Sequence, residues 1–418
     1  MTRRLLTGNG AAAWGARLAR ADYIPAFPIT PQTEIIESLG QWIDTGAMPG
    51  RMVTFESEHS MITAAGSAAA TGVRVFSATS SQGLLYGMEM LYTVAGWRAP
   101  FVLVNVSRGL ASPITLEPDH NDVLAARDCG FLQIHCATCQ EVLDSILIAY
   151  RLAEDPQVRL PVIVNLDGFY LSFTREPVEL PDVQACANYV GSYDAENVRF
   201  RASAPESQAV AVLGGGPYSY FRYETQLAAM NGLAVYDEVA DGFAQVFGRL
   251  HGAVEAYRSE DAEYVFVMMG SFATKAKEAV DQLRNAGWRI GLLRPRLVRP
   301  FPAARWSELL AGKRGAAIID QNLSFGMGGV LHTEIASALY GMNAVQPVLA
   351  SFVGGLGGRD ISPQEFFEMA GVIRDAAQRG ESPPPRLLYT EDELREVRKL
   401  QAVAQVEREE LAKNEPKG

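Results

Sequence analysis

Cysteine is scarce in this chain of 418 residues: Cys129, Cys136, Cys139 and Cys186 are too few to staple it, which predicts a reducing, cytoplasmic setting. Cys136-Ala137-Thr138-Cys139 is a lone CxxC with no second pair. The apolar Leu132-Gln133-Ile134-His135 before it reads as a buried strand, so packing is preferred to a metal or redox centre. Cysteines in iron-sulfur spacing are missing as well. With only 5 histidines and no HExxH pair, no metal site is argued from that residue type. Basic charge is also in deficit, 37 Lys and Arg against 48 Asp and Glu, and a net charge of −11 repels phosphate backbones and argues against nucleic acid as a partner. No apolar run approaches the ~20 residues needed to cross a bilayer. The opening Met1-Thr2-Arg3-Arg4-Leu5-Leu6 begins like an export signal, but Thr7-Gly8-Asn9-Gly10 interrupts it.

What is present points to an α/β protein. The length predicts more than one domain, and 48% hydrophobic residues suit either a well-buried chain or a subunit with large contact faces. Strand-like runs at Met52–Phe55, Val73–Ala78, Phe101–Val106 and Val162–Leu166 recur with helical stretches between them, as in a mostly parallel, doubly wound sheet. Ile35, Ile36, Leu39 and Ile43 form a 3.6-residue stripe on a helix beginning at Thr33. The stretch Ser60–Ala70 is rich in Ala and Gly, which lets a helix approach another backbone closely.

A polar segment, Gly191–Gln208, interrupts the pattern; a strand at Ala209–Leu213 then leads into Gly214-Gly215-Gly216, read as a turn in preference to a phosphate cradle. A helix is expected over Tyr236–Tyr257. A second α/β unit starts at Tyr264-Val265-Phe266-Val267-Met268, with a helix at Thr274–Asn285 and strands at Ile290–Leu293, Ala316–Asp320 and Val348–Val353. The expected organisation is residues 1–245, residues 258–372 and a helical extension over 386–418. That extension carries Leu394, Val397, Leu400, Val403 and Val406 at three-residue steps, a narrow stripe for docking on a neighbouring subunit or for lying along its own domain.

The chemistry-bearing residues cluster in turns that each close a strand and open a helix: Ala26-Phe27-Pro28-Ile29-Thr30-Pro31-Gln32-Thr33-Glu34, Phe55-Glu56-Ser57-Glu58-His59-Ser60 and Thr79-Ser80-Ser81-Gln82-Gly83. Such turns put a hydroxyl, a carboxylate and an amide on the sheet edge where open parallel sheets bind ligands. Each residue also has a plain structural reading. Glu58 suits the first turn of a helix, Thr30 an N-cap before Pro31, and Arg108 a loop ion pair with Asp119 or Asp122. Glu56 reads as a structural partner, and His120 as a hydrogen-bonded loop histidine.

Together with Ser107-Arg108, Asp119-His120-Asn121-Asp122, Asp167-Gly168-Phe169, Met269-Gly270-Ser271 and Arg299-Pro300-Phe301-Pro302, these motifs resemble, over about Gly8 to Met369, the alpha subunit of the 2-oxoacid:acceptor (pyruvate:ferredoxin-type) oxidoreductases. The resemblance implies a thiamine-pyrimidine-binding domain followed by a transketolase C-terminal-like domain. It implies that Glu58 meets N1′ of the thiamine diphosphate aminopyrimidine, that Pro28 and Gln82 line that cofactor, and that Thr30 and Arg108 take the carboxylate or ketone of a 2-oxo acid. Thiamine enzymes hold magnesium with a Gly-Asp-Gly motif, and none occurs in this sequence. Magnesium, the diphosphate and iron-sulfur clusters are therefore expected from partner chains: a beta subunit, gamma and ferredoxin-like subunits, and a flavin- or NAD-linked subunit docked on the C-terminal helix. The expected reaction is oxidative decarboxylation to an acyl-CoA, with coenzyme A as co-substrate. Leu116-Glu117-Pro118, unusual before Asp-His, suggests phenylglyoxylate as substrate, with pyruvate or a branched 2-oxo acid as the alternative. A self-sufficient thiamine enzyme and a non-catalytic scaffold are the rival readings.

Overall fold

The structure is a computed structural model that describes residues 2–193, 200, 202–207, 211–341 and 345–414, the last six of these by backbone alone. Its strands are β1 (Thr2–Thr7), β2 (Tyr23–Ala26), β3 (Arg51–Thr54), β4 (Phe76–Thr79), β5 (Val102–Ser107), β6 (Leu132–His135), β7 (Val162–Asp167), β8 (Arg175–Leu180), β9 (Val254–Tyr257), β10 (Tyr264–Met268), β11 (Ile290–Pro295), β12 (Leu297–Arg299), β13 (Gly315–Asp320), β14 (Val348–Val353) and β15 (Arg386–Leu387).

The first sheet has the order β12-β6-β7-β5-β4. It is parallel except at β12. The parallel pair β2-β3 joins its β4 side through a parallel bridge between Tyr23 and Val75. Strands β4, β5, β6 and β7 are buried along their whole length, as continuous runs covered on both faces should be. One face carries the helices Gly8–Leu18 and Cys139–Glu154, which close on each other where Gly15 lies against Ile146 with no room for a Cβ. The helices Glu58–Ala70 and Met88–Gly96 cover the other face through Met61, Ile62, Leu91 and Val94.

The second sheet, β15-β14-β13-β10-β11-β9, is parallel but for β9. It packs on helices Ala273–Asn285 and Pro363–Arg379 through Phe266, Val280 and Phe366. The architecture is thus α/β, with two mixed, mostly parallel sheets and a terminal helix, Glu391–Asn414.

The helix expected over Tyr236–Tyr257 is instead two elements. A helix runs Gly215–Phe247 and stops at Gly248, whose φ of 75° supplies a left-handed cap; Val254–Tyr257 is β9, paired antiparallel with β11. The triple glycine opens this helix, with Gly214 at its N-cap. In the strand expected at Ala209–Leu213, residues 209 and 210 lie outside the described residues, and 211–213 form no strand. On the terminal helix, Val397, Leu400, Val403 and Val406 are each exposed. Its first turn is tied to the second unit by Arg359, which donates to both Glu393 oxygens at 2.8 and 2.6 Å. No helix among the described residues is long and apolar enough to cross a membrane.

Candidate active site

Because β2, β3, β4, β5 and β7 run parallel, the turns after them gather on one edge. Glu58 opens its helix there, with Ser57 as N-cap accepting from the Ser60 N–H. Glu58 is 5% exposed, and burial pushes its pKa upward against a backbone hydrogen bond that lowers it. Gly83 keeps clear the space between the Glu58 carboxylate and the Thr79 hydroxyl, since a Cβ there would collide with the carboxylate. Glu56, by contrast, is exposed and accepts from Ser60 Oγ at 2.5 Å, a structural role.

Arg108 draws the other turns together. Its Nη1 donates to the main-chain carbonyl of Thr30 at 2.6 Å and its Nη2 to Gln82 Oε1 at 2.5 Å. No side-chain ion pair with Asp119 or Asp122 forms among the described residues; Asp122 takes the Arg108 backbone N–H instead, at 3.3 Å. Burial lowers the Arg108 pKa and Asp122 opposes that pull, so the guanidinium stays charged while spending its hydrogen bonds on neutral oxygens.

Thr30 departs from the capping expectation. The helix begins at Thr33 with Gln32 at its N-cap and no side-chain cap, because Gln32 turns its Nε2 back to Phe27 O at 2.9 Å. Thr30 is exposed, and it is its carbonyl that meets Arg108. Pro28 stands exposed in the same turn. Thr30, Glu58, Gln82 and Arg108 therefore share one edge, linked through Gly83. Gln32 and the buried Asn9, which donates to Pro31 O at 2.9 Å, hold that turn and were not legible as site residues; a lone amide on an alanine-rich helix face is the only signal for Asn9.

The aminopyrimidine of thiamine diphosphate fits this set. It requires a buried carboxyl able to share a proton, which Glu58 supplies, and Thr79 Oγ1 and Gln82 Nε2 are buried without a partner among the described residues. A cavity of about 950 Å³ elsewhere, lined by Asp237, Asp241, Arg249, His251, Arg296 and Arg305, includes none of these residues.

The second unit closes over the edge. His120 Nε2 lies 2.8 Å from Asp167 Oδ1, while Asp167 Oδ2 accepts the Ser271 N–H at 2.7 Å and its hydroxyl at 2.6 Å. Gly270, with φ 75°, permits this approach, since a Cβ would stand 2.7 Å from Asp167 Oδ2 and 2.9 Å from the His120 ring. Burial pulls the His120 pKa down, but Asp167 overcomes it and the net direction is up; burial raises Asp167, but His120 and Ser271 bring it below its usual value. The His120 contribution is therefore complete below its ordinary 6.5 and lost as pH climbs through the raised value; that of Asp167 is complete above its ordinary 3.8 and lost on acidification. His120→Gln should accordingly cost more stability at about pH 5.5 than at about pH 9 in urea unfolding. An equal cost at both would refute the ionic pairing.

The CxxC cysteines are buried, and burial pushes the Cys136 thiol up to about 12, which suits packing. Among the described residues no group of three His, Cys, Asp or Glu side chains is arranged to hold a metal ion.

Comparison with known proteins places this geometry. Residues 14–240 match the family described as pyruvate flavodoxin/ferredoxin oxidoreductase, thiamine diphosphate-binding, and residues 262–366 the pyruvate:ferredoxin oxidoreductase core domain II. The pyruvate synthase subunit PorA of Pyrococcus abyssi is 37% identical over 383 residues, 92% of this chain and 96% of that protein. PorA of Methanocaldococcus jannaschii is 40% identical over 378 residues, 89% of this chain and 95% of that one. The ketoisovalerate oxidoreductase subunit VorA of Pyrococcus horikoshii is 36% identical over 379 residues, 90% of this chain and 95% of that one. A solved 2-oxoglutarate:ferredoxin oxidoreductase from Magnetococcus marinus, with 2-oxoglutarate, coenzyme A and succinyl-CoA bound, shares the fold with a TM-score of 0.69 at 19% identity, over 89% of this chain and 65% of that longer one. With more than half of its length inside the thiamine diphosphate-binding family and a PorA or VorA chain matched nearly end to end, this protein belongs to the 2-oxoacid:ferredoxin oxidoreductase alpha subunits.

Proposed function

We propose that this chain forms the pyrimidine half of a thiamine diphosphate site in an enzyme that oxidatively decarboxylates an aliphatic 2-oxo acid, pyruvate or a branched-chain analogue, to an acyl-CoA. The observation that carries the reading is the Arg108 guanidinium, charged, largely buried and, among the described residues, hydrogen-bonded only to neutral oxygens on the edge that also holds Glu58. Its charge is left for an incoming carboxylate, which a planar fork grips with two parallel hydrogen bonds. Glu58 would hold a proton at N1′ of the aminopyrimidine, and Gln82 steadies Arg108 while its Nε2 faces the same ligand set. Thiamine diphosphate, when bound, supplies the carbon nucleophile and takes up the electron pair left by carbon dioxide.

The lack of a Gly-Asp-Gly motif supports a beta subunit as the holder of magnesium and the diphosphate, and the lack of cluster-spaced cysteines supports partner chains as the carriers of iron-sulfur clusters. The relatives above are named for pyruvate and ketoisovalerate, which favours an aliphatic substrate over the phenylglyoxylate suggested by Leu116-Glu117-Pro118. Ile114 and Leu116, exposed on the loop after Arg108, offer aliphatic contact.

Arg108→Lys tests the reading in the assembled complex. A point charge cannot replace the fork, so KM for the preferred 2-oxo acid should rise about 10- to 100-fold, with KM for coenzyme A unchanged. An unaltered KM would remove Arg108 from the substrate site. Pyruvate, 2-oxoisovalerate and phenylglyoxylate compared side by side would settle the substrate class.

A further inference from the structure

Asp122 is fully buried, yet its carboxylate meets five donors. Oδ2 accepts the backbone N–H of Ser81 at 3.0 Å, the backbone N–H of Arg108 at 3.3 Å and Asn105 Nδ2 at 3.1 Å. Oδ1 accepts Ser107 Oγ at 3.0 Å and the Val123 N–H at 2.7 Å. Four of these donors belong to the carboxyl ends of β4 and β5 or to the turns that leave them. A buried carboxylate is costly to keep, and burial does push this one's pKa upward against the hydrogen bonds from Asn105, Val123 and Ser81. A packed amide or apolar side chain would fill the space more cheaply if filling were all that the site required.

The geometry points to Asp122 as the positioning residue of the substrate-binding arginine, acting through main-chain N–H groups; the inference rests on the reading of Arg108 given above. One oxygen grips the backbone at Ser81 and at Arg108, which fixes the two turns relative to each other. Gln82, the residue after Ser81, then meets the Arg108 guanidinium at 2.5 Å, and Ser81 Oγ lies 2.7 Å from the same Gln82 oxygen. Ser81 has a φ of 49°, a left-handed conformation unfavourable for a residue with a Cβ, and the Asp122 hydrogen bond holds its N–H in that orientation. By gripping the backbone and not the side chain, the acid orders Arg108 without occupying its fork. A direct ion pair would have neutralised the group that the substrate needs.

The test uses the assembled complex. Asp122→Ala should raise KM for the 2-oxo acid about 10- to 100-fold, the range expected for lost hydrogen bonds to a charged group, with kcat and KM for coenzyme A within about threefold of the parent. Asp122→Asn keeps the shape and one oxygen to turn toward Ser81 and Arg108, so its rise should be smaller, about three- to tenfold. In an Arg108→Met background, either substitution should add less than about threefold, because the residue it acts through is gone. Equal effects in both backgrounds, or a fall in kcat without a change in KM, would show a structural role and overturn the proposal. If Arg108→Met leaves KM unchanged while the Asp122 variants raise it, the reading of Arg108 fails first and carries this inference with it. Should Asp122→Ala not assemble, the Asn variant decides, and a parental KM with that variant counts against the proposal.

Discussion

Glu58→Gln in the assembled enzyme is expected to lower kcat by about 10²- to 10⁴-fold, the range for removing a positioned proton-transfer group. The amide fills the same volume beside Gly83, where there is no room for a bulkier neighbour, but it cannot exchange a proton with a heterocyclic nitrogen. The substitution should leave the fold intact, and the sign of its stability effect can be worked out. Burial raises the Glu58 pKa above its ordinary 4.5, so ionisation burdens the folded state as pH rises past that value. Replacing the carboxyl by a neutral amide lifts the burden at neutral pH, and the gain fades below about pH 4.5. Lost turnover, slowed exchange of the C2 proton of bound thiamine diphosphate and an unchanged or higher melting temperature at pH 7 form the expected pattern. Parental turnover would leave the protein as a scaffold.

The largest stability effect is expected at Glu141, far from the chemistry. This residue lies in the first turn of the helix Cys139–Glu154, where its carboxylate accepts the Ala137 N–H at 2.8 Å and its own N–H donates to the Thr138 hydroxyl. One of its oxygens binds both Arg294 and Arg296 of the second unit, the latter at 2.8 Å. Burial would raise its pKa, but the two guanidiniums hold it far below the usual carboxylate range. Arg294 continues to Glu255 of β9 at 2.6 Å, so the ion network joins the helix Cys139–Glu154 to the second sheet. Glu141→Ala takes from Arg296 the carboxylate that pairs it and leaves Arg294 with Glu255 alone, and should cost about 3–5 kcal/mol in denaturant unfolding, the range for breaking a buried pair from one side. Removing the three buried charges together, as Glu141→Met, Arg294→Met and Arg296→Met, should recover much of that loss, because hydrophobic replacement of a buried ion triad is close to neutral and Glu255 keeps Lys277 as its partner. A triple variant no more stable than Glu141→Ala would mean that specific geometry, not uncompensated charge, dominates.

What local pattern can reveal, it revealed here. The alternation of apolar runs with helical stripes marks β4 to β7, β10, β11, β13 and β14 but not the short β9, β12 and β15, and the turns after β2, β3 and β4 are recognisable because a parallel sheet must reverse at each carboxyl end. Glu58 and Arg108 are singled out by the resemblance that the surrounding motifs carry; taken alone, an acid in a first helical turn and an arginine in a loop each have a plain structural reading. What escaped depends on distance along the chain. Val254–Tyr257 looks helical beside its neighbours and becomes a strand only because β11 offers an antiparallel edge. Arg294 and Arg296 follow the expected strand Ile290–Leu293 without any local mark until Glu141, some 150 positions earlier, is brought against them. The plain structural reading of Thr30, a cap before Pro31, does not hold, because Gln32 bends back to Phe27 and the helix starts at Thr33. Asp119-His120-Asn121-Asp122 is visible as a motif, but the sequence does not tell that His120 meets Asp167 and Gln321 or that Asp122 accepts the backbone N–H groups of Ser81 and Arg108.

Strand β12, contributed by residues 297–299, completes the flank of the first sheet beside β6. A recombinant fragment ending near residue 245 would thus expose the hydrogen-bonding groups of β6 to any chain able to add a strand, an invitation to aggregate. Trimming for expression has to carry the polypeptide through Arg299, and a protease nick between the two sheets would leave the pieces clasped together.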